Sequence, residues 1–130
     1  FVTRGLTALP EDFLREGQRP NSLNHHFFGD ISAWFIEYIA GIRVNPAGND
    51  CREVRVTPNF IARLDFAEGH YDTVGGRVAV RWERDGSDIA LTVECADRVH
   101  GEIRLPNGCR FKQSQLSSAE LESGRYEIVY

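Results

Sequence analysis

Glu11 and Asp12 place two carboxylates side by side after Pro10, in the run Thr7-Ala8-Leu9-Pro10-Glu11-Asp12-Phe13. A positioned carboxyl group can act as a general acid or base. The same residues also suit a plain helix start. Proline is accepted at the first helical position, and carboxylates in the first turn offset the unpaired backbone N–H groups there. Spacing alone favours the helix start. A second polar group follows in Asn21-Ser22-Leu23-Asn24-His25-His26. Adjacent histidines on a helix point about 100° apart, so one metal ion could not use both, and a zinc site would want a spacing of four. No metal site is expected. By spacing alone, one histidine is a hydrogen-bonded core residue and the other lies at the surface.

Cys51, Cys95 and Cys109 are widely separated, with no CxxC and no histidine at ligand spacing. They read as free thiols, with a disulfide between two of them as the alternative; this favours a reducing cytoplasm, with an export signal in preceding sequence as the other reading. Gly69-His70-Tyr71-Asp72-Thr73 offers polar atoms that could touch a sugar, although polar residues at a strand-end turn need no ligand to explain them. Trp34 and Trp82 could stack on a sugar ring, but both fall on the apolar phase of their elements and are expected in the core.

These groups must be held by two kinds of element. Over residues 21–42 the apolar residues Leu23, Phe27, Phe28, Ile31, Trp34, Phe35, Tyr38, Ile39 and Ile42 recur at steps of three and four, which predicts a helix capped by Asn21 or Ser22 and ended near Gly41. Pro46, Gly48 and Asn49 form a polar turn behind it. Its aromatic face is too broad for a lone helix and calls for further helices or a sheet to cover it. Beyond Cys51 the period drops to two: Val54 and Val56; Val78, Val80 and Trp82; Ile89, Leu91 and Val93; Ile103 and Leu105; Tyr126, Ile128 and Tyr130. Asp85-Gly86 predicts a hairpin over residues 76–95, and Asn107-Gly108 a second hairpin joining residues 102–105 to 109–113. Short strands with regular turns make a β-sandwich.

The chain has 130 residues, 42% of them hydrophobic, with a formal net charge of -4. That suffices for one core and an appendage. Scattered Lys and Arg exclude a nucleic-acid or anionic-membrane footprint, and no apolar run approaches the roughly 18 residues of a membrane span. The chain contains no Met and begins at Phe1, so it reads as a piece of a longer protein.

The string NSLNHHFFGDISAWFIEYIAGIR, from residue 21 to 43, resembles a segment of bacterial α-L-rhamnosidases that runs Ser-x-Asn-His, aromatic, Gly, then a helix ending Ala-Gly-Ile. The similarity continues through residues 52–58, residues 71–79 with Trp82, Leu105-Pro106-Asn107-Gly108, and Ser123-Gly124-Arg125-Tyr126-Glu127. The resemblance implies an α+β chain: residues 1–43 are the end of a catalytic (α/α)6 barrel, and residues 44–130 are a C-terminal antiparallel β-sandwich. It implies hydrolysis of terminal α-L-rhamnose from plant glycosides and polysaccharides by an inverting mechanism, with no cofactor. Such chemistry needs a carboxylic acid to protonate the leaving oxygen and a carboxylate to activate water on the other face of the sugar.

In such enzymes the base is the Glu of a Thr-Thr-Leu-Trp-Glu type motif, with which Thr7-Ala8-Leu9-Pro10-Glu11 lines up, so Glu11 is the implied catalytic base. Pro10 stands where Trp is usual and Ala8 where a second Thr is common, which alters the aromatic wall of the subsite. His25 matches the family histidine that faces the sugar, with Asn24 beside it in the substrate-binding group. The general acid lies in earlier barrel loops. This piece alone is therefore expected to be inactive, its partners being rhamnose-containing glycosides, the preceding barrel of the same protein and, through the aromatic helix, a second copy. The competing readings are a non-catalytic carbohydrate-binding sandwich and an interaction domain that docks through its helix.

Overall fold

The computed structural model describes Gly17, residues 30–45 and residues 50–130. The chain divides into two compact units, Phe1–Trp34 and Phe35–Tyr130. In the first, the described residues are Gly17, with a left-handed φ of 80°, and the short helix α1, Asp30–Trp34. The remainder of the expected helix start, and the turn at residues 46–49, lie outside the described residues.

The second unit opens with a π-helical segment, Phe35–Ala40, which ends two residues before the last apolar position of the predicted helix. Ile42 belongs instead to the first strand. Gly41 explains the stop. Its φ is +86°, and a Cβ there would collide with the Thr57 carbonyl carbon and Pro58 nitrogen, so only glycine lets the chain leave the helix against that backbone. The Gly41 N–H closes the segment on the Ile36 carbonyl at 2.9 Å, the long-range bond of a π turn.

Nine strands follow among the described residues: β1 Ile42–Val44, β2 Glu53–Val56, β3 Phe66–Thr73, β4 Gly76–Asp85, β5 Asp88–Cys95, β6 His100–Arg104, β7 Arg110–Phe111, β8 Ser118–Glu120 and β9 Gly124–Val129. They form a four-stranded sheet in the order β1-β2-β6-β8 and a five-stranded sheet in the order β3-β4-β5-β9-β7. Val54, Val56 and Ile103 from the first sheet and Val78, Val80, Trp82, Leu91, Val93 and Ile128 from the second are buried in one shared core. The period-two alternation is thus the core-facing row of each strand.

The β4–β5 hairpin forms as the turn chemistry predicts, with one difference. Asp85 pairs with Asp88, so the two-residue loop is Gly86-Ser87 and Asp85 closes the strand. Gly86 has φ +64° and Ser87 has no positive φ, which matches a turn with glycine at its first central position.

Three other features depart from the sequence expectations. Residues 69–73, read as a strand-end turn, lie inside β3, an edge strand. Its core-facing row is Ala67, Gly69 and Tyr71, and at Gly69 a Cβ would stand 3.0 Å from the Ala40 methyl. A small residue was needed there to admit the π-helical segment, and it erases the alternation. Second, Asn107-Gly108 does form a turn, with Cys109 N–H bonded to the Pro106 carbonyl at 3.0 Å. It does not make a hairpin: β6 pairs with β2 and β8, whereas β7 pairs with β9, so the turn carries the chain from one sheet to the other. Third, β2 and β6 are parallel, the one parallel pair among the described strands. Parallel neighbours need a long crossover, supplied here by β3, β4 and β5 in the opposite sheet.

Residues 58–65 have no regular structure, yet several of their carbonyls are satisfied. The Arg84 guanidinium donates to the carbonyls of Phe60 at 2.9 Å, Ile61 at 3.1 Å and Leu64 at 3.1 Å. Phe60 packs edge-on against Trp82, with ring centroids 5.6 Å apart.

Candidate functional site

Glu11, Asn24 and His25, which the family resemblance makes the catalytic base and sugar contacts, lie outside the described residues. Of the other groups singled out from the sequence, Trp82 is fully buried and is core, as its apolar phase required. Trp34 instead remains 49% exposed; it sits in α1, where none of the five residues is buried. Cys51, Cys95 and Cys109 are free thiols. Cys95 is stapled to Ser123, whose hydroxyl accepts from the Cys95 N–H at 2.9 Å and lies 3.4 Å from the thiol sulfur. Burial pushes the Cys109 thiol above its ordinary range. Among the described residues no three His, Cys, Asp or Glu side chains converge to hold a metal ion.

The described chemistry gathers on the outer face of the five-stranded sheet. Since Val78, Val80 and Trp82 point into the core, Arg77, Ala79, Arg81 and Glu83 point out, and register carries this to Asp72, His70, Glu68 and Phe66 on β3 and to Glu94, Thr92 and Ala90 on β5. Ala79 and Thr92 are short where their neighbours are long. They floor a groove of about 420 Å³ walled by Glu68, His70, Arg81 and Glu94.

Arg81 organises one end of that groove. It donates to Glu68 at 2.7 Å and to Glu83 at 3.1 Å, and its guanidinium carbon stands 4.7 Å from the Phe66 ring centroid. The hydrogen bonds it donates to these two carboxylates raise the Arg81 pKa further. Arg125 reaches Glu83 from β9 at 3.4 Å. At the edge of the face, Asp72 and Arg77 form a two-pronged pair at 2.8 and 3.1 Å, which holds the Asp72 carboxyl below its ordinary range.

A second groove, of about 360 Å³, lies between Tyr38, Arg43, Asn59, Arg104 and Asn107. The Arg43 guanidinium covers the Tyr38 ring at 4.7 Å. Thr57, which also lines it, has a buried hydroxyl with no hydrogen-bond partner among the described residues.

Sequence reasoning had flagged His70 but not Ala79, Arg81, Thr92 or Glu94. The outward phase of β4 and β5 was legible from the alternation. That two short side chains on different strands fall on one diagonal of the sheet depends on register, which the alternation does not supply.

The family described as "Bacterial alpha-L-rhamnosidase C-terminal domain" matches residues 41–120. An α-L-rhamnosidase of Alteromonas sp. (strain LOR) is 39% identical over 88 residues, covering 66% of this chain and 9% of that protein. An α-L-rhamnosidase of Formosa agariphila is 34% identical over 94 residues, covering 70% of this chain and 10% of that protein. The chain thus spans about a tenth of the length of these curated relatives. Among solved structures, the α-L-rhamnosidase from Dictyoglumus thermophilum aligns with a TM-score of 0.64 at 23% identity over 85% of this chain and 14% of that one. The α-L-rhamnosidase from Aspergillus terreus aligns with a TM-score of 0.63 at 25% identity over 89% of this chain and 13% of that one. Both likenesses extend over most of the chain and support the sandwich fold.

Proposed function

This chain belongs to the bacterial α-L-rhamnosidase C-terminal domain family, and from that premise we propose that it works as the C-terminal part of an inverting α-L-rhamnosidase. The observation that carries the proposal is the family match over residues 41–120, taken with relatives that are themselves named α-L-rhamnosidases. On this reading the residues that precede the sandwich complete a helical catalytic barrel, and the sandwich, whose first strand opens at Ile42, closes the protein.

Glu11 is the base that removes a proton from water as the water attacks the anomeric carbon. The leaving oxygen is protonated by a carboxylic acid supplied by the rest of the protein. The two carboxyl groups of an inverting glycosidase stand roughly 6.5–9.5 Å apart, which leaves room for that water. His25 hydrogen-bonds a sugar hydroxyl, and Asn24 belongs to the same binding group.

The test is hydrolysis of p-nitrophenyl α-L-rhamnoside by the full-length protein, by its Glu11→Gln variant and by the 130-residue chain alone. Activity in the full-length protein, its collapse in Glu11→Gln and none in the chain alone are the expected results. Release of the β-anomer as first product, read by proton NMR, tests inversion. Full activity in Glu11→Gln would remove the base assignment, and an α-anomeric product would remove the mechanism.

A further inference from the structure

We propose that the outer face of the five-stranded sheet carries a non-catalytic saccharide site in the groove floored by Ala79 and Thr92, taking a short neutral oligosaccharide. Register sets its shape. His70 and Glu94 are the partners of Ala79 on its two sides, so their backbones stand about 10 Å apart, two strand spacings, with only a methyl group between them. One step along the strands, Arg81 lies between Glu68 and Thr92 in the same way. The result is an open trough of about 420 Å³, within the range of about 300–1,000 Å³ usual for small-ligand sites.

The chemistry of the walls selects the ligand class. Acceptors and donors alternate around the trough: the carboxylates of Glu68 and Glu94, the hydroxyl of Thr92, the imidazole of His70 and the guanidinium of Arg81. Sugar hydroxyls are both donors and acceptors and suit such a mixed set. Arg81 is pinned by two carboxylates that occupy two of its five N–H groups, so it presents the remaining donors in a fixed orientation with its charge already balanced. The Glu94 carboxylate, on an exposed residue, has no hydrogen-bond or ion-pair partner among the described residues. The Ala79 methyl offers a flat apolar spot for the C–H face of a pyranose ring. Phosphates and acidic sugars are disfavoured, since Glu68 and Glu94 face the trough and the Arg81 guanidinium is neutralised. His70 belongs to the Gly69–Thr73 segment, whose polar atoms could touch a sugar although the sequence alone explains them without a ligand.

The site does not depend on hydrolysis: an inactive parent protein whose groove binds sugar would leave it standing. The experiment follows the amide NMR spectrum of the labelled full chain during titration with methyl α-L-rhamnoside, cellotriose, xylotriose and, as the acidic control, a trigalacturonate. The expected result is saturable movement of the Ala79, Arg81 and Thr92 amides with at least one neutral sugar. Ala79→Gln, which fills the floor, should abolish it, and Glu94→Ala should weaken it at least about tenfold. Glu127→Ala, on the same face but outside the groove, should leave it unchanged. Glu94 is exposed, so its variant remains informative should Ala79→Gln fail to fold. No saturable shift with any neutral sugar, an affinity unchanged in Glu94→Ala, or tighter binding of the trigalacturonate would each overturn the proposal.

Discussion

The indole N–H of Trp82, at the centre of β4, donates to the backbone carbonyl of Ile39 in the π-helical segment at 3.2 Å. The same carbonyl accepts the Asn59 N–H at 3.2 Å. One buried oxygen therefore joins the helical segment, the five-stranded sheet and the irregular segment 58–65. Helical carbonyls near a C-terminus lack intrahelical partners, and Trp82 supplies one from a residue that is itself fully buried.

Trp82→Phe keeps most of the apolar volume and removes that donor. It should cost about 1–3 kcal/mol, the range for a buried hydrogen bond left half made. Trp82→Ala should cost about 3–5 kcal/mol because it also opens a cavity. Urea unfolding measures both, and equal losses for the two variants would show that the indole bond contributes nothing separate from packing.

Arg84→Met should release the carbonyls of Phe60, Ile61 and Leu64 while retaining much of the aliphatic stem. Hydrogen exchange should accelerate through residues 60–65 with little change in the centre of β5, a local opening and not global unfolding. Arg84→Lys should behave like the Met variant, because an ammonium cannot reproduce the planar fork that reaches several carbonyls at once.

Gly41→Ala and Gly108→Ala both place a Cβ on a residue with φ near +87°. Each should lose about 1–2 kcal/mol from the backbone conformation. Only Gly41→Ala also drives the methyl into the Thr57–Pro58 backbone, whereas nothing lies within 4 Å at Gly108. The Gly41 variant should therefore be clearly the less stable in thermal unfolding, and equal melting temperatures would contradict the close approach seen at that junction.

Glu102 sits opposite Arg55 across the parallel β2–β6 pair, 2.6 Å from its Nε, and 3.1 Å from Arg104. The Arg55 hydrogen bond, aided by the nearby charges, holds its carboxyl below the ordinary 4.5. A carboxyl depressed in the folded state contributes stability that is present above its unfolded value and fades as pH falls through the folded one. Wild-type denaturation midpoints should thus drop below pH 4.5, and Glu102→Gln should flatten that part of the profile by a small amount, since the pair is exposed.

Cys109 gives the opposite sign. Burial raises its thiol above the ordinary 9.0, so its contribution is intact below pH 9 and is lost as pH rises through the raised value. Thiol labelling at neutral pH should modify exposed Cys51 first and Cys109 only on unfolding. Equal labelling rates for the two would be inconsistent with the buried position.

For the proposed active site, His25→Ala in the full-length enzyme should lower kcat/KM about 10- to 100-fold, the loss of one sugar hydrogen bond. His26→Ala should leave it near the wild-type value. The reverse pattern would move the sugar contact to the neighbouring histidine.

Much of the sandwich was legible locally. Strict alternation at Val78, Val80 and Trp82 and at Ile89, Leu91 and Val93 assigned both faces of the central hairpin, because a strand with one buried side admits no other phase. The glycine at position 86 marked the turn, since the tight connection demands a positive φ. The candidate catalytic and sugar-binding residues rested on family resemblance alone and stay proposals. What local pattern could not decide was partnership. Asn107-Gly108 specifies a reversal of the chain without specifying whether the next strand returns beside β6 or crosses to β9. The pairing follows from burial of Leu105, Cys109 and Phe111 in the core between the sheets. Residues 66–73 lost the strand signature because the core row had to shrink to Gly69 beneath Ala40. The sequence alone thus determined which residues face inward and where the chain turns, both short-range consequences of side-chain polarity and backbone sterics. Strand order, the parallel β2–β6 pair and the juxtaposition of Ala79 with Thr92 were decided by the tertiary structure, because each depends on packing between segments far apart in the chain.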